Sequence, residues 1–354
     1  MDKKIVAYYG SWKVYSTCKI EEIDPFVADI LIYAFAGLNA DGTLKVLDDW
    51  GDIQLQGYAK FNRLKEKNSR LKTLLSVGGW NEGSANFSSM ASGESTRSIF
   101  TRSCLSFVQK YGFDGIDLNW EYPCQRGGNF KDKDNLSQLL KEMRQEFNKH
   151  GYLLTMAVGA GESIADVSYD IPRLSQYLNY IFLMTYDFYT YVNGHTGANA
   201  PLRSRDQYNV EYCVNYWIRQ GAVPSKLLLG IGGYGHSFTL ANASNHGIGA
   251  ASVGPGSPGP DSKTPGILQY CEILDLEKRG WRKEWSEEQQ VPYCYQGNQW
   301  VGYDDLKSIR KKVDFAKKTR LSGIMLWSVD MDDPRAQHGV KFPLLNTVKE
   351  EIAL

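Results

Sequence analysis

Short apolar runs recur along the chain, and longer amphipathic segments separate them. The eight runs are almost continuously hydrophobic, as are strands that are buried on both faces of a parallel sheet. They cover residues 4–9, 30–37, 71–79, 113–122, 152–159, 180–187, 226–234 and 323–329. Helical spacing of apolar residues is found between them, in segments that include 58–68, 95–111, 135–150, 210–220 and 304–319. This alternation predicts an α/β fold, a parallel (β/α)8 TIM barrel.

A doubly wound open sheet is the alternative that fits the same alternation of strands and helices. Such a sheet commonly carries a glycine fingerprint in the turn that joins its first strand to its first helix. No fingerprint of this kind opens a helix after the first apolar run. The barrel is therefore the preferred prediction.

One connection is too long for a simple barrel loop. About 70 residues separate Tyr234 from the helix that starts near Asp304, and they begin with a Gly/Ser/Pro-rich stretch over 242–265. Structureless loops of this length are uncommon in compact domains. Within the segment, GILQYCEIL and VPYCYQGNQWVGYDD read as strands. We therefore predict an α+β insertion domain over 235–301, carried by a barrel formed from 1–234 and 302–354.

The overall composition excludes some classes of partner. The 354 residues include 40 basic and 40 acidic side chains, so the formal net charge is zero. A neutral chain is a poor match for nucleic acid or an anionic membrane surface. No apolar run approaches the roughly 20 residues of a membrane-spanning helix. We expect neither nucleic acid nor a membrane as partner.

The first residues and the cysteines leave the cellular compartment open. The start, MDKKIVAYYG, enters a strand at once and lacks the apolar core of a signal peptide. Either a cytosolic protein or a mature form with an added initiator Met fits this start. The six cysteines contain no C-x-x-C pair. Cys271 and Cys294 could pair within the insertion, but free thiols fit the sequence equally well.

The most informative segment is FDGIDLNWEYP, residues 113–123. Read as a strand, it places two carboxylates and an amide on one face, which are Asp117, Asn119 and Glu121. Buried carboxylates cost several kcal/mol unless they are paired or used in chemistry. A solvated edge strand would avoid that cost, but it would not need the bulky apolar residues on the other face, which are Ile116, Leu118 and Trp120. The pattern therefore predicts a functional strand.

This segment resembles the active-site strand of glycoside hydrolase family 18, the chitinase family, whose pattern is D-G-x-D-x-D-x-E. Three of the four acids match, at Asp114, Asp117 and Glu121, and Asn119 replaces the third acid. Similar segments extend over nearly the whole chain. The predicted insertion also resembles the α+β domain that follows the seventh strand in one branch of the family. In that branch it forms one wall of a deep substrate groove.

The resemblance implies a substrate-assisted mechanism, in which the sugar's own 2-acetamido oxygen attacks the anomeric carbon. Glu121 would be the general acid, and Asp117 would lie behind Asn119. Tyr186 would hydrogen-bond the acetamido carbonyl, and Asp187 would contact the same sugar. No metal and no cofactor are expected.

The substrate-binding residues are also assigned by resemblance. Trp327 would form the floor of the pocket, and Trp12 and Trp80 would stack on sugars on either side of the cleavage point. The predicted substrate-binding set is completed by Met184, Tyr234 and Asp114. Of these, Asp114 would also anchor the start of its strand.

Asn119 departs from the family pattern at a functional position. Its carbonyl oxygen can still accept a hydrogen bond from the acetamido N–H, but it cannot supply negative charge. Charge-assisted hydrogen bonds are about twice as strong as neutral ones, and loss of one preorganised stabiliser typically costs roughly 10²–10³ in rate. We therefore expect attenuated catalysis. Smaller departures are His236 in place of Arg, Tyr189 in place of His and Val192 in place of an aromatic residue.

Three functions fit these observations. The preferred one is an endo-acting chitinase that hydrolyses β-1,4 bonds between N-acetylglucosamine units, and a chitin-binding lectin is the alternative. Lectins of the family commonly lose the catalytic Glu, and Glu121 is retained here. A glycan-trimming relative fits less well, because the insertion and the aromatic row suit a linear polymer. The expected partner is chitin or its oligosaccharides, and the expected protein is a secreted monomer.

Overall fold

The computed structural model describes residues 3–16 and 18–354. As far as the seventh barrel strand, its strands and helices are β1 (Lys4–Gly10), β2 (Ile30–Leu38), β3 (Leu44–Val46), α1 (Gly57–Lys67), β4 (Lys72–Gly78), α2 (Ala85–Ala91), α3 (Glu94–Tyr111), β5 (Gly115–Asn119), α4 (Asp132–Asn148), β6 (Leu153–Gly159), α5 (Glu162–Ser168), α6 (Ile171–Tyr177), β7 (Tyr180–Met184), α7 (Val210–Arg219) and β8 (Leu227–Gly232). The remainder are β9 (Tyr234–Leu240), β10 (Ser252–Pro255), β11 (Ile267–Gln269), α8 (Tyr270–Lys278), β12 (Arg282–Ser286), β13 (Val291–Gln296), β14 (Gln299–Gly302), α9 (Leu306–Lys318), β15 (Gly323–Trp327) and α10 (Pro343–Ala353).

Eight parallel strands close into a barrel. Their order around it is β1, β2, β4, β5, β6, β7, β8 and β15, and the pairing of β15 with β1 completes the ring. The short strand β3 is added outside the ring, antiparallel to β2. The prediction of a TIM barrel is confirmed, and each of the eight predicted runs overlaps one of these strands.

Alternate residues of the barrel strands enter two different cores. Val6 and Tyr8 of β1 lie with Met325 of β15 in the core inside the barrel. Ala7 and Tyr9 belong to the larger core between the barrel and its helices. Since both faces are buried, both sets are apolar, which explains why the runs are almost continuously hydrophobic.

The helices cover the barrel with their apolar faces. Phe61 of α1, Phe100 of α3 and Leu140 of α4 are fully buried in the outer core. Their opposite faces are charged and exposed, as the amphipathic spacing predicts. Within residues 3–16 and 18–354, no helix combines the length and the hydrophobicity that a membrane span requires.

A second sheet lies between β8 and α9 in the sequence. Its strands run in the order β10, β9, β14, β13 and β12 with antiparallel neighbours, and β11 also pairs with β9. The sheet and α8 occupy the segment in which the sequence predicts an α+β insertion. The division into domains at 235–301 stays a prediction.

The two strands predicted within this segment have different outcomes. The GILQYCEIL prediction is half wrong, because only Ile267–Gln269 is a strand and α8 begins at Tyr270. Glu272 causes this change, since its carboxylate accepts a hydrogen bond from the Gln269 backbone N–H at 2.7 Å, as in a capping box. In the other segment β13 and β14 form a hairpin, and Gly297 supplies the positive φ of 56° that its tight turn needs.

The cysteines are free thiols. Cys271 and Cys294, the one pair that the sequence analysis considers for a disulfide, are both buried and unbonded. Burial raises the pKa of each of these two thiols to about 12. They therefore stay protonated at neutral pH and act as small apolar side chains.

Candidate active site

The site is built on β5 and the residues that follow it. The strand ends at Asn119, so the predicted strand over 113–122 is too long at both ends. Glu121 lies two residues beyond the end of the strand. Asp117 and Asn119 are both buried, with 0% and 3% exposure, and Glu121 is 9% exposed. The alternating acidic face is therefore buried, and a solvated edge strand is excluded.

Both carboxylate oxygens of Asp117 accept hydrogen bonds from hydroxyl groups, which come from three other strands. Its Oδ2 accepts from Tyr8 Oη and Ser76 Oγ, each at 2.7 Å, and its Oδ1 accepts from Thr155 Oγ1 at 2.7 Å. Burial raises the pKa of Asp117 to about 6, and the three hydrogen bonds oppose part of that rise. This carboxyl therefore fixes β5 against β1, β4 and β6 from inside the barrel.

Asn119 has an unused acceptor. Its Oδ1 is buried and finds no hydrogen-bond partner among residues 3–16 and 18–354, and the side chain lines the cavity described below. An unpaired buried acceptor costs about 1–3 kcal/mol. Such a group gains from a ligand that brings an N–H or O–H donor.

Glu121 is adjusted to hold a proton near neutrality. Burial raises the pKa of its carboxyl to about 7, and the negative charge of Asp187 acts in the same direction. The positive charge of Arg126 opposes these effects. A carboxyl whose pKa is near the working pH is suited to general acid catalysis.

Asp187 is fixed at the end of β7 by contacts from the second sheet. Its Oδ1 accepts from Tyr234 Oη at 2.6 Å and lies 2.7 Å from His236 Nε2. Its backbone N–H donates to Asn199 Oδ1 at 2.8 Å, and Asn199 Nδ2 donates in turn to the Tyr234 carbonyl at 3.0 Å. Because β9 carries Tyr234 and His236, the second sheet helps to position this carboxylate.

Tyr186, the neighbour of Asp187, supplies a hydroxyl that stays protonated. Burial raises its pKa well above the usual value, and the charge of Asp187 adds to the effect. Its ring meets that of Tyr234 edge to face, with the centroids 6.1 Å apart. Tyr186 is therefore a neutral, fixed hydrogen-bond donor.

An aromatic cluster forms the base of the site. Trp327 at the end of β15 stacks on Phe35, with ring centroids 5.7 Å apart and an angle of 18° between planes. The centroid of the Trp12 ring lies 6.4 Å from that of Trp327 and 6.2 Å from that of Phe35. Tyr8 supports Trp327 from inside the barrel at 5.3 Å.

A cavity of about 1180 Å³ opens at the carboxyl ends of the barrel strands. This is the end at which TIM barrels carry their active sites. Nine of the predicted site residues line it, namely Trp12, Trp80, Asn119, Glu121, Met184, Tyr186, Asp187, Tyr234 and Trp327. Asp117 lies beneath this lining, in contact with Tyr8 rather than with the open space.

Asp114 is the predicted substrate-binding residue that lies elsewhere. It precedes β5, at the opposite end of the strand from the cavity, where it forms ion pairs with Lys65 at 3.0 Å and Lys72 at 3.3 Å. Burial alone would raise its pKa, but the Thr73 N–H and the two lysines outweigh burial and hold the pKa below its usual value. Its assignment to the substrate is therefore wrong, whereas its place at the start of the strand agrees with an anchoring role.

The fold and this site can be compared with known proteins. Residues 4–332 match the model of glycosyl hydrolases family 18. The chain belongs to this family. It is 37% identical over 371 residues to Chitotriosidase-1 of Mus musculus, a match that covers 99% of this chain and 78% of that protein.

Solved structures of the family have nearly the same backbone. The Ostrinia furnacalis Group IV chitinase in complex with allosamidin is 39% identical with a TM-score of 0.97, and the match covers 99% of both chains. Human YKL-39, described as a pseudo-chitinase with retained chitooligosaccharide binding properties, is 37% identical with a TM-score of 0.92. That match covers 99% of this chain and 100% of YKL-39.

Besides Asn119, three positions depart from the family 18 pattern, and none of the three lines the cavity itself. His236 contacts Asp187, as described above. Tyr189 donates a hydrogen bond to Asp206, and its ring meets that of the lining residue Tyr208 at a centroid distance of 6.2 Å. Val192 is 76% exposed.

Several residues of the site have no signal in the local sequence. Phe35 and Tyr8 support Trp327 from two distant strands, and Asn199 orients Asp187 from a loop. Each reads as an ordinary core or loop residue, and only the closed barrel brings it to the site. Arg126 is different, because it follows the Glu121 strand closely, and a charge so near a predicted acid is a usable signal.

Proposed function

We propose that this protein is an endo-acting chitinase that cleaves β-1,4-linked N-acetylglucosamine polymers with attenuated turnover. The observation that carries the proposal is the unpaired Oδ1 of Asn119 in a cavity that is also lined by Glu121, a carboxyl whose pKa burial raises to about 7. The free acceptor suits the N–H of a 2-acetamido group. Trp327 and its aromatic neighbours offer a flat apolar floor to a sugar ring.

The proposed reaction has two steps. In the first, Glu121 donates its proton to the glycosidic oxygen while the acetamido carbonyl oxygen attacks the anomeric carbon and the glycosidic bond breaks. Tyr186 donates a hydrogen bond to that carbonyl oxygen and Asn119 accepts one from the acetamido N–H. In the second step, the Glu121 carboxylate takes a proton from water, the water oxygen attacks the same carbon, and the oxazolinium ring opens. The two inversions give net retention.

Asn119 supports the lectin function as the second candidate. A neutral amide holds the acetamido group in place but adds no negative charge as the oxazolinium ion forms. Binding would then survive better than turnover. Family 18 includes such a combination, since YKL-39 is described as a pseudo-chitinase that retains chitooligosaccharide binding.

The experiment that separates these functions compares two hexasaccharides. We expect chitohexaose to be bound in calorimetry and cleaved in a mass-spectrometric time course, with turnover declining as the pH rises through about 7, because Glu121 then loses its proton. Cellohexaose lacks the acetamido group and is expected to remain uncleaved. Binding of chitohexaose without any cleavage would leave the lectin function, and absence of binding would reject both.

Trp327→Ala is expected to weaken chito-oligosaccharide binding tenfold or more. The ring supplies the floor, and its removal also leaves the stacked face of Phe35 without a neighbour. Stacking by an aromatic ring contributes roughly 0.5–1.5 kcal/mol beyond its buried area. Calorimetric titration of both proteins measures the change.

Phe26→Ala is the matched control, because Phe26 is a half-exposed aromatic residue close to the start of β2, away from the cavity. Its affinity should equal that of the parent. If Trp327→Ala binds chito-oligosaccharides as tightly as the parent does, Trp327 is not part of the binding site. We also propose that the protein acts outside the cell and as a monomer. Sedimentation analysis of the purified chain would check the oligomeric state.

A further inference from the structure

The loop after Glu121 brings a cation to the rim of the active-site cavity. Arg126 is exposed and has a φ of 50°, and Gly127 follows with a φ of 88°. A non-glycine residue in the left-handed region is uncommon and costs of order 1 kcal/mol or more. The surrounding contacts must therefore hold Arg126 in this conformation.

Those contacts join two parts of the site. The Arg126 guanidinium lies 3.5 Å from the centroid of the Trp80 ring, over its face. Its Nη1 donates to the Trp80 carbonyl at 2.8 Å and to the Glu121 carbonyl at 2.9 Å. One side chain thus holds the ring of Trp80, the backbone of Trp80 and the backbone of Glu121.

The contact defines how Trp80 is presented to a ligand. The Trp80 residue is 57% exposed, and it lines the cavity. The Arg126 guanidinium covers one face of the Trp80 ring. The Tyr122 ring lies at an angle of 70° to that of Trp80, with the two ring centroids 6.5 Å apart. A sugar can therefore stack only on the remaining face, and the guanidinium holds that face in place before a sugar arrives.

The approach to Trp80 is also built into the backbone. Gly79 has a φ of 88°, and a Cβ at this position would come within 2.7 Å of the Phe35 ring. The chain can therefore turn sharply after β4 and leave Trp80 on the rim, within reach of Arg126. The exposed ring needs a further contact to fix its orientation, which the cation supplies.

The same guanidinium acts on the acid. Its positive charge lowers the pKa of Glu121 against the opposing effect of burial. Charge and stacking are separable properties, because Lys keeps the charge but lacks the planar group that stacks on an indole and donates in two directions.

We propose that Arg126 is a positioning residue that couples the Trp80 sugar platform to the acid Glu121. Stacking of a sugar on Trp80 and proton donation by Glu121 then depend on one guanidinium. This inference rests on the proposed function, since it assigns a task to a residue that does not itself react. It extends the predicted site by a residue outside the family motif.

The test is a double-mutant cycle with Arg126→Lys and Arg126→Met, each made in the parent and in Trp80→Ala. Chitohexaose affinity is measured by calorimetry. In the parent, both changes should weaken binding about threefold to tenfold, the range expected when the stacked guanidinium no longer holds the Trp80 ring. In the Trp80→Ala background neither should weaken it further, because the platform is already absent.

The second readout is the pH dependence of kcat/KM. Arg126→Met removes a charge that favours ionised Glu121, so the alkaline limb of the profile should move to higher pH in both backgrounds. Arg126→Lys should leave the limb where the parent has it. Circular dichroism melts of all variants check that each one is folded.

Two outcomes would overturn the proposal. Equal weakening by Arg126→Met with and without Trp80 would mean that the cation acts on the ligand or the loop rather than through the ring. An unmoved alkaline limb in Arg126→Met would remove the link to the acid.

If the parent binds chitohexaose without cleaving it, the proposed hydrolase function fails. The affinity cycle still tests the platform, and NMR titration of the Glu121 carboxyl, assigned with Glu121→Gln, replaces the kinetic profile.

Discussion

Glu121→Gln should lower the turnover of chito-oligosaccharides by at least about 10²-fold, the lower end of what general acid catalysis contributes. Gln keeps the shape and a hydrogen-bonding group but cannot donate a proton to the glycosidic oxygen. The aromatic floor and the Asn119 acceptor are unchanged by the substitution. The affinity for the oligosaccharide should therefore persist, and the decrease in activity should appear in kcat.

The control for this change is Glu146→Gln, the same chemical substitution on the exposed face of α4. Glu146 pairs with Lys149 three residues away and lies outside the cavity lining. A surface pair of this kind contributes about 0–1 kcal/mol to stability, so the control should match the parent. Turnover at the parent level in Glu121→Gln would refute the role of Glu121 as the acid.

Asn119→Asp is expected to raise kcat by up to about 10²–10³, the amount that one preorganised charge typically contributes. The new carboxylate would occupy the position of the unpaired Oδ1, next to the acetamido group. It stabilises the positive oxazolinium ion more than the neutral substrate, so the gain should be in kcat rather than in affinity.

The same substitution should move the alkaline limb of the pH profile to higher pH. A second negative charge near Glu121 disfavours its ionisation, and its pKa, already raised by burial, rises further. The acid then stays protonated to higher pH. Profiles of kcat against pH for both proteins on chitohexaose test this. Equal rates at every pH would mean that residue 119 has no part in the reaction, and the lectin function would gain support.

The barrel is predictable because its physical signal is local. Strands buried on both faces must be apolar throughout, so residues 30–37 could be recognised as β2 without any knowledge of their neighbours. The acidic face of β5 is recognisable for the opposite reason, since Asp117 and Glu121 contradict the apolar rule. Their chemistry could be inferred from this contradiction.

What could not be predicted depends on contacts between distant segments. Asp114 belongs to the motif, but only the direction of β5 reveals that it faces away from the cavity, towards Lys65. Asn199 acquires its role from two loops that the closed barrel brings together. Each of these is a tertiary effect that overrides a local pattern.

The central claim is that the substrate's own acetamido group acts as the nucleophile above Asn119, with Glu121 as the acid. Proton NMR of fresh chitohexaose hydrolysate, recorded before the anomers equilibrate, tests this most directly. The account predicts that the new reducing ends appear first as the β anomer, through two inversions at one carbon. Initial appearance of the α anomer would contradict it, because a single inversion requires direct attack by water.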